Sequence, residues 1–449
     1  MPLSRARAAT WVFGPEAGRV SPFPARAGAV TALFVVGTAV AALRLPDGQR
    51  NVLWSEDGNQ FLEGAFAHDY LTNLVTPYAG YMHFLPRTAA QLVEAVVPTT
   101  QLGTGMNLAG AMVWAAAAVA AFVFTRDRVQ RPLRLLLWLL VLIVPIGSLE
   151  VATNVANSHW FLIFALFLAL SARSGPGVGR LLFGSVLVAA AVMSDPLAIA
   201  FAPLVLARAV LLPRLRENVV GIVFAAAAVV QVLVVLGTER DRGEPELEPA
   251  AMAATYLVRV VFGDLLGHTT GSAVYDTLGR HPVVLIAAAV VALLVLLIAL
   301  RLGRDGLPAL ALAASAAFFT VTAVLTWASL GAPAPGQEVF RAGRYLVVPS
   351  LLLIVSTVSA TSAWLPGPDA RGGRRVARIV GVAIVAAALI APGVVDYRSP
   401  DNKAGVPELT ESVPTFRAEC EADPAAEVRV PIGPAGYWFL VPCDRILHE

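Results

Sequence analysis

Runs of roughly 16 to 22 apolar residues recur along most of this 449-residue chain. At 1.5 Å per residue each can cross a hydrocarbon core of about 30 Å with modest tilt. About eleven such spans are expected, near residues 28–45, 106–124, 133–150, 157–172, 180–194, 197–212, 219–237, 282–300, 307–328, 345–364 and 377–395. A mean hydropathy of +0.70, with 57% hydrophobic and 14% charged residues, excludes a soluble domain. The expected fold is therefore an all-α polytopic membrane protein. The segment 84–98 is apolar enough to suggest a further span, but Arg87, Gln91 and Glu94 at helical spacing fit an amphipathic helix lying in the interface. A second interfacial helix is expected from Pro249 to Leu266.

Charge sets the expected orientation, because short cytoplasmic loops collect Lys and Arg. Basic segments alternate with the spans: Arg5 to Arg26, Arg126 to Arg134, Arg173 to Arg180, Arg208 to Arg216, Arg301 to Arg304 and Arg371 to Arg378. Acids dominate the intervening loops, and only Glu16, Asp127, Glu217, Asp305 and Asp369 of the 31 acidic residues fall on the basic side. This puts the amino end in the cytoplasm and the carboxyl end outside a plasma membrane. Parity also leaves 84–98 on the outer side, because the span 106–124 ends at the basic Arg126, Arg128, Arg131 and Arg134.

Residues 1–27, rich in Pro, Gly and Arg, read as a disordered cytoplasmic tail, and 28–45 as an uncleaved anchor rather than a secretory signal. No internal repeat is visible, so nothing suggests the paired halves of many transporters. The transmembrane region is expected over 28–396, with a first outer loop over 46–105, and an extracytoplasmic tail over 397–449. Cys420 and Cys443, the only two cysteines, both fall in that tail, where an oxidising compartment favours a disulfide. Short strand-like runs, Glu427 to Pro431 and Tyr437 to Val441, lie on either side of a proline-bearing turn. A tail this small needs such a staple.

Most residues able to do chemistry lie in the first outer loop, between Trp54-Ser55-Glu56-Asp57-Gly58 and Gly80-Tyr81-Met82-His83-Phe84-Leu85-Pro86-Arg87. Glu56 and Asp57 are candidate bases, although an aspartate there also suits the capping of a short helix over 59–68. His83 and Arg87 stand four apart on one helical face and can address a single anion, whereas a headgroup contact would serve Arg87 as well. Tyr81, with Tyr78, offers a stacking ring for a sugar or a place in the aromatic belt. Glu150, Asn154, Asn157, His159 and Trp160 cluster between the third and fourth spans, as pocket lining or as turn closure. Arg341 and Arg344, beside Tyr345, precede the tenth span, and a guanidinium fork there suits a phosphate.

Together these features resemble the GT-C superfamily of membrane glycosyltransferases over roughly residues 28–365, and more closely a group of actinobacterial multi-span membrane proteins. The resemblance implies a polyprenyl-phosphate-linked sugar as donor, a cell-envelope glycan or lipid as acceptor, and a loop-one carboxylate, Asp57 or Glu56, as base. It implies Arg344, with Arg87, His83 and Arg341, on the donor phosphate, and Tyr81, Asn154, Asn157, His159 and Trp160 lining the substrate. The chain departs from the family where an aspartate and paired prolines would open a helix; His83-Phe84-Leu85-Pro86-Arg87 stands there instead.

No cofactor is required for such a transfer, and a divalent metal held by Glu56 and Asp57 would lack further protein ligands. Membrane lipids are expected partners and nucleic acid is not. Competing readings are a secondary transporter, a lipid-linked glycan flippase or polymerase, and a non-catalytic envelope-assembly scaffold. The first would bury acids or histidines within its spans, and the second needs a charged path through the bundle. Convergence of Glu56 or Asp57 with Arg344 on one cavity separates an enzyme from a scaffold.

Overall fold

The structure is a computed structural model that describes the chain apart from residues 1–3, 17–22, 148–149, 176, 239–247, 301–304, 332–338, 341, 363, 366–372, 399–401 and 449. Among the described residues seven helices, not eleven, are long and apolar enough to cross a membrane: Thr99–Phe124, Leu215–Leu236, Pro249–Leu278, Arg280–Ala299, Leu307–Trp327, Gly343–Ser362 and Val376–Val395. Six fall on expected spans. The remaining expected spans are helical but shorter, at Ala27–Ala42, Arg131–Leu142, His159–Ser171, Val178–Ser194 and Pro196–Leu211. The run 133–150 stops being helix at Leu142 because Pro145, which lacks an N–H, opens a 3₁₀ turn over Pro145–Gly147.

The short helix His159–Ser171 lies at the centre. All 13 residues of His159–Ser171 are buried, and 13 residues rise only about 20 Å. Around them stand longer helices such as Leu215–Leu236, Arg280–Ala299 and Val376–Val395, whose most apolar windows are only 28%, 22% and 17% buried, leaving faces suited to lipid. His159–Ser171 is therefore too short to cross a bilayer alone, and residues 151–158 that lead into it are buried. A Cβ at Gly110, eight residues past Leu102 in the Leu102–Phe124 helix, would collide with the Thr153 carbonyl, which sets that turn about 12 Å below the helix start.

Val347–Ser362 enters at a similar depth. The Ser315 hydroxyl donates to the Pro349 carbonyl (2.7 Å) and the Ser356 hydroxyl to the Pro308 carbonyl (2.8 Å), so this helix runs antiparallel to Leu307–Leu330 and starts well short of its far end. Irregular backbone at such depth is tolerated only where protein buries it or it lines a wet cavity. The sequence around 150–158 and 342–346 meets that condition from both sides.

Two expectations need correction. Residues Arg5–Phe13, read as disordered, form a helix that buries Ala9 and Phe13 against Leu212. Arg128 donates to the Trp11 carbonyl, Arg173 to the Gly14 carbonyl, and the Gly306 amide to the Trp11 carbonyl. Those arginines satisfy carbonyls that a disordered tail would have left to water, and two apolar side chains anchor the turn. The second correction concerns Pro249 to Leu266, read as a short interfacial helix. Helix continues to Leu278, with a π-helical turn over Tyr256–Phe262 and a break at Gly267, where φ is +75°. Arg259 and Asp264 hid its apolar character from a hydropathy reading, yet both are buried.

Phe84–Val96 forms a 13-residue helix at the expected place. The tail carries an antiparallel hairpin, β1 (Glu427–Ile432) and β2 (Tyr437–Pro442), close to the expected strands. Cys420 and Cys443 are disulfide-bonded with Cα atoms 5.0 Å apart. The tail has no core of its own. Val428, Val430, Ile432, Phe439 and Val441 pack with Leu53, Trp54, Phe61 and Leu62 of the first loop and with Val155 and Ala156. The Gly433 amide donates to the Leu53 carbonyl (2.9 Å) and the Leu440 amide to the Glu63 carboxylate (2.6 Å), so loop and tail form one layer.

Candidate functional site

Beneath that layer, the ends of the short helices collect polar groups. Asp57 opens a π-helical turn over Asp57–Leu62 but does not cap it. Its fully buried carboxylate accepts from the Val155 amide (Oδ2, 3.1 Å) and the Ala156 amide (Oδ1, 2.8 Å), so it ties the first loop to the segment entering His159. Gly58 allows the close packing of the tail here, since a Cβ would press on Ile432 and Phe439. Burial pushes the Asp57 carboxyl up to about 7, against the opposing pull of Lys403 and the two amides. Both oxygens are committed to holding the backbone.

Glu56 points elsewhere. It is half-buried, its Oε2 makes no hydrogen bond, and its charge reaches Arg344, Tyr78 and His159. Arg344 lies in the 3₁₀ turn Gly343–Leu346 at the head of its helix, with its side chain 32% exposed. Its Nε is 3.8 Å from Glu150 Oε2, and its guanidinium lies 5.1 Å over the Tyr345 ring, which packs edge-on against Trp160 at 5.5 Å. The arginine is thus held between a carboxylate and an aromatic wall with part of its surface open. Glu56 lies within electrostatic reach of Arg344.

His159 is locked at both ring nitrogens. Nδ1 is 2.7 Å from the Ala156 carbonyl and Nε2 is 3.1 Å from Asp195 Oδ2. Asp195 was missed in the sequence. The available signal was an acid followed by Pro196, interrupting a long apolar stretch between two short helices, where it accepts from the Leu197 amide at 2.7 Å.

Other expected site residues serve the frame. Asn157 donates to the Glu150 carbonyl (2.9 Å), Asn154 donates to that same oxygen, and the Asn157 amide donates to Asn154 Oδ1 (2.8 Å). These side chains close the turn, and Trp160 is buried behind it. Arg87 does not join Arg344: it is buried, donates to Asn73 Oδ1 and lies 5.8 Å over Phe61. His83 stacks on Tyr81 at 4.2 Å and contacts Phe61 and Tyr78. Burial, reinforced by His159 and Arg87, pushes His83 down to about 3, so it stays neutral and cannot add a cation for a phosphate. Tyr81 and Tyr78, both partly exposed, remain at the rim. Arg341 lies outside the described residues. Among those described, no three His, Cys, Asp or Glu side chains gather as a metal cage.

The arrangement offers a carboxylate with one buried oxygen that makes no hydrogen bond, a held guanidinium with exposed surface and an aromatic wall. It suits a proton acceptor facing a group that gains negative charge. The chain matches no known protein-family model and no curated protein.

Proposed function

We propose that this chain is a plasma-membrane glycosyltransferase of GT-C type, transferring a sugar from a polyprenyl-phosphate donor to a hydroxyl of a cell-envelope glycan or lipid. In this reading the amino end is cytoplasmic and the first loop and tail are outside. The electrostatic reach of Glu56 to Arg344, itself paired with Glu150, carries the reading. Glu56 removes the acceptor proton as the hydroxyl oxygen bonds to the anomeric carbon. The bond from that carbon to the phosphate oxygen breaks, its electron pair leaves with the lipid phosphate, and Arg344 meets the added charge. A single in-line displacement inverts the anomeric centre. No metal enters these steps.

The donor phosphate needs a cation it can reach, and Arg344, at the head of its helix with its side chain 32% exposed, keeps part of its guanidinium open. Glu56 is preferred here over Asp57 because its Oε2 makes no hydrogen bond, whereas both Asp57 oxygens accept backbone amides. The test compares lipid-linked sugars and envelope glycans in a deletion strain, its parent, and the deletion strain complemented by wild type or Glu56→Gln. Accumulated lipid-linked sugar that wild type clears and Glu56→Gln does not is the expected outcome. Identical glycans in all four strains would refute the assignment.

A further inference from the structure

Asp264 stands in the apolar helix Pro249–Leu278, two residues past the π-helical turn and three before the break at Gly267. It is 4% exposed, and its carboxylate makes no hydrogen bond of normal geometry. The one polar side chain it faces is the fully buried Ser350 hydroxyl, at the margin of hydrogen-bond reach. No ion pair forms at Asp264 among the described residues. Its surroundings are apolar: the adjacent Gly263 abuts Phe340 and Ile146, and Tyr256, within electrostatic reach, points its hydroxyl away to Ser315 at 2.9 Å.

An ionised carboxylate cannot remain there. Removing a lone charge from water costs far more than folding can supply, so such a group either finds a counter-charge or keeps a proton. The Ser350 hydroxyl can give the carboxylate one hydrogen bond, but it brings no counter-charge, so the charge is removed by a proton. A metal ion fits poorly, because Asp264 and Ser350 offer few oxygens and the nearby Pro349 carbonyl already accepts from Ser315.

We propose that Asp264 is a proton-binding site inside the bundle, its carboxylate taking one proton to become a carboxylic acid hydrogen-bonded with the Ser350 hydroxyl. Ser350 belongs to the helix headed by Arg344, so the site lies behind the guanidinium and is separate from Glu56. The inference does not depend on sugar transfer. An ionisable group at such a place in a membrane protein is a functional feature far more often than a filler.

Infrared spectroscopy of the full-length protein in lipid nanodiscs tests it. At neutral pH a protonated-carboxyl C=O band, sensitive to deuterium exchange, is expected in wild type and lost in Asp264→Asn. Should Asp264→Asn fail to fold, Ser350→Ala keeps the test open, because removing the hydrogen-bond partner must move the band to higher frequency. A second reading uses dicyclohexylcarbodiimide, which enters apolar sites and modifies protonated carboxyls: adduct on the Asp264 peptide is expected at mildly acidic pH and falls as pH rises. Absence of the band at neutral pH, or a band unmoved by both substitutions, overturns the proposal.

Discussion

His159 links a backbone carbonyl to Asp195. The Ala156 carbonyl, 2.7 Å from His159 Nδ1, can only accept, so Nδ1 carries hydrogen. At the other side Nε2 lies 3.1 Å from Asp195 Oδ2, within hydrogen-bond distance. The two side chains are joined across the ends of two short helices.

Asp195→Asn should free the imidazole from that bond. A charge-assisted hydrogen bond is worth about 1.5–3 kcal/mol, so sugar transfer is expected to fall roughly 10- to 100-fold if the dyad fixes the pocket. Nitrogen-15 NMR of labelled histidine gives a readout independent of transfer: wild type should show His159 protonated at Nδ1, with Nε2 hydrogen-bonded to the aspartate, and the Nε2 signal should move in Asp195→Asn. An unchanged His159 spectrum would refute the hydrogen bond between His159 and Asp195.

Glu56 and Asp57 should separate. Glu56→Gln is expected to lower transfer by about 10² to 10⁴ with thermal stability intact, the usual worth of a lost general base. Asp57→Asn instead turns an amide NH₂ toward one backbone N–H, at a cost on the order of 1–3 kcal/mol. It should also change the pH response. Folding raises the Asp57 carboxyl from 3.8 to about 7, so its contribution is fully present below the unfolded value and lost as pH rises through 7. Melting curves across that window should slope downward in wild type and flatten in Asp57→Asn. Full activity in Glu56→Gln would remove it as base.

The helical membrane character, the hairpin and the disulfide were legible because apolar runs, strand-like segments and two cysteines are local signals. Depth was not. Residues 133–150 read as a span because hydropathy does not register that Pro145 stops the helix short of Glu150. Asn154, Asn157 and Arg87 looked like ligands because polarity in a sequence does not reveal whether a side chain faces a cavity or a carbonyl of its own turn. Asp195 and Asp264 were passed over for the opposite reason, being single acids in apolar surroundings. Their meaning comes from partners far along the chain, His159 for one and Ser350 for the other.

Loss of the disulfide should loosen the first loop as well as the tail. The staple closes a loop of 23 residues, worth about 3 kcal/mol in the chain-entropy account. Its cysteines share a core with Trp54 and Phe61. Cys420→Ser with Cys443→Ser is therefore expected to raise amide hydrogen exchange over 53–62 as well as over 427–442. Exchange confined to the tail would show that the two layers are independent.

Arg344 offers the sharpest test of the phosphate site. Its guanidinium is held by Glu150 and Tyr345, so replacing its shape matters as much as replacing its charge. Lysine keeps the charge but neither spreads over the Tyr345 ring nor forks onto two phosphate oxygens. Arg344→Lys should weaken binding of polyprenyl phosphate to protein in nanodiscs by roughly tenfold, and Arg344→Ala by more, consistent with about 1.5–3 kcal/mol for a charge-assisted contact. The uncharged polyprenol should bind wild type and variants alike. Glu150→Gln supplies the counter-test, since it removes the competing carboxylate while leaving the arginine in place. If phosphate approaches the face of Arg344 that Glu150 now neutralises, Glu150→Gln binds the lipid phosphate no more weakly than wild type. Equal binding of polyprenyl phosphate by wild type and Arg344→Ala would remove Arg344 from the site.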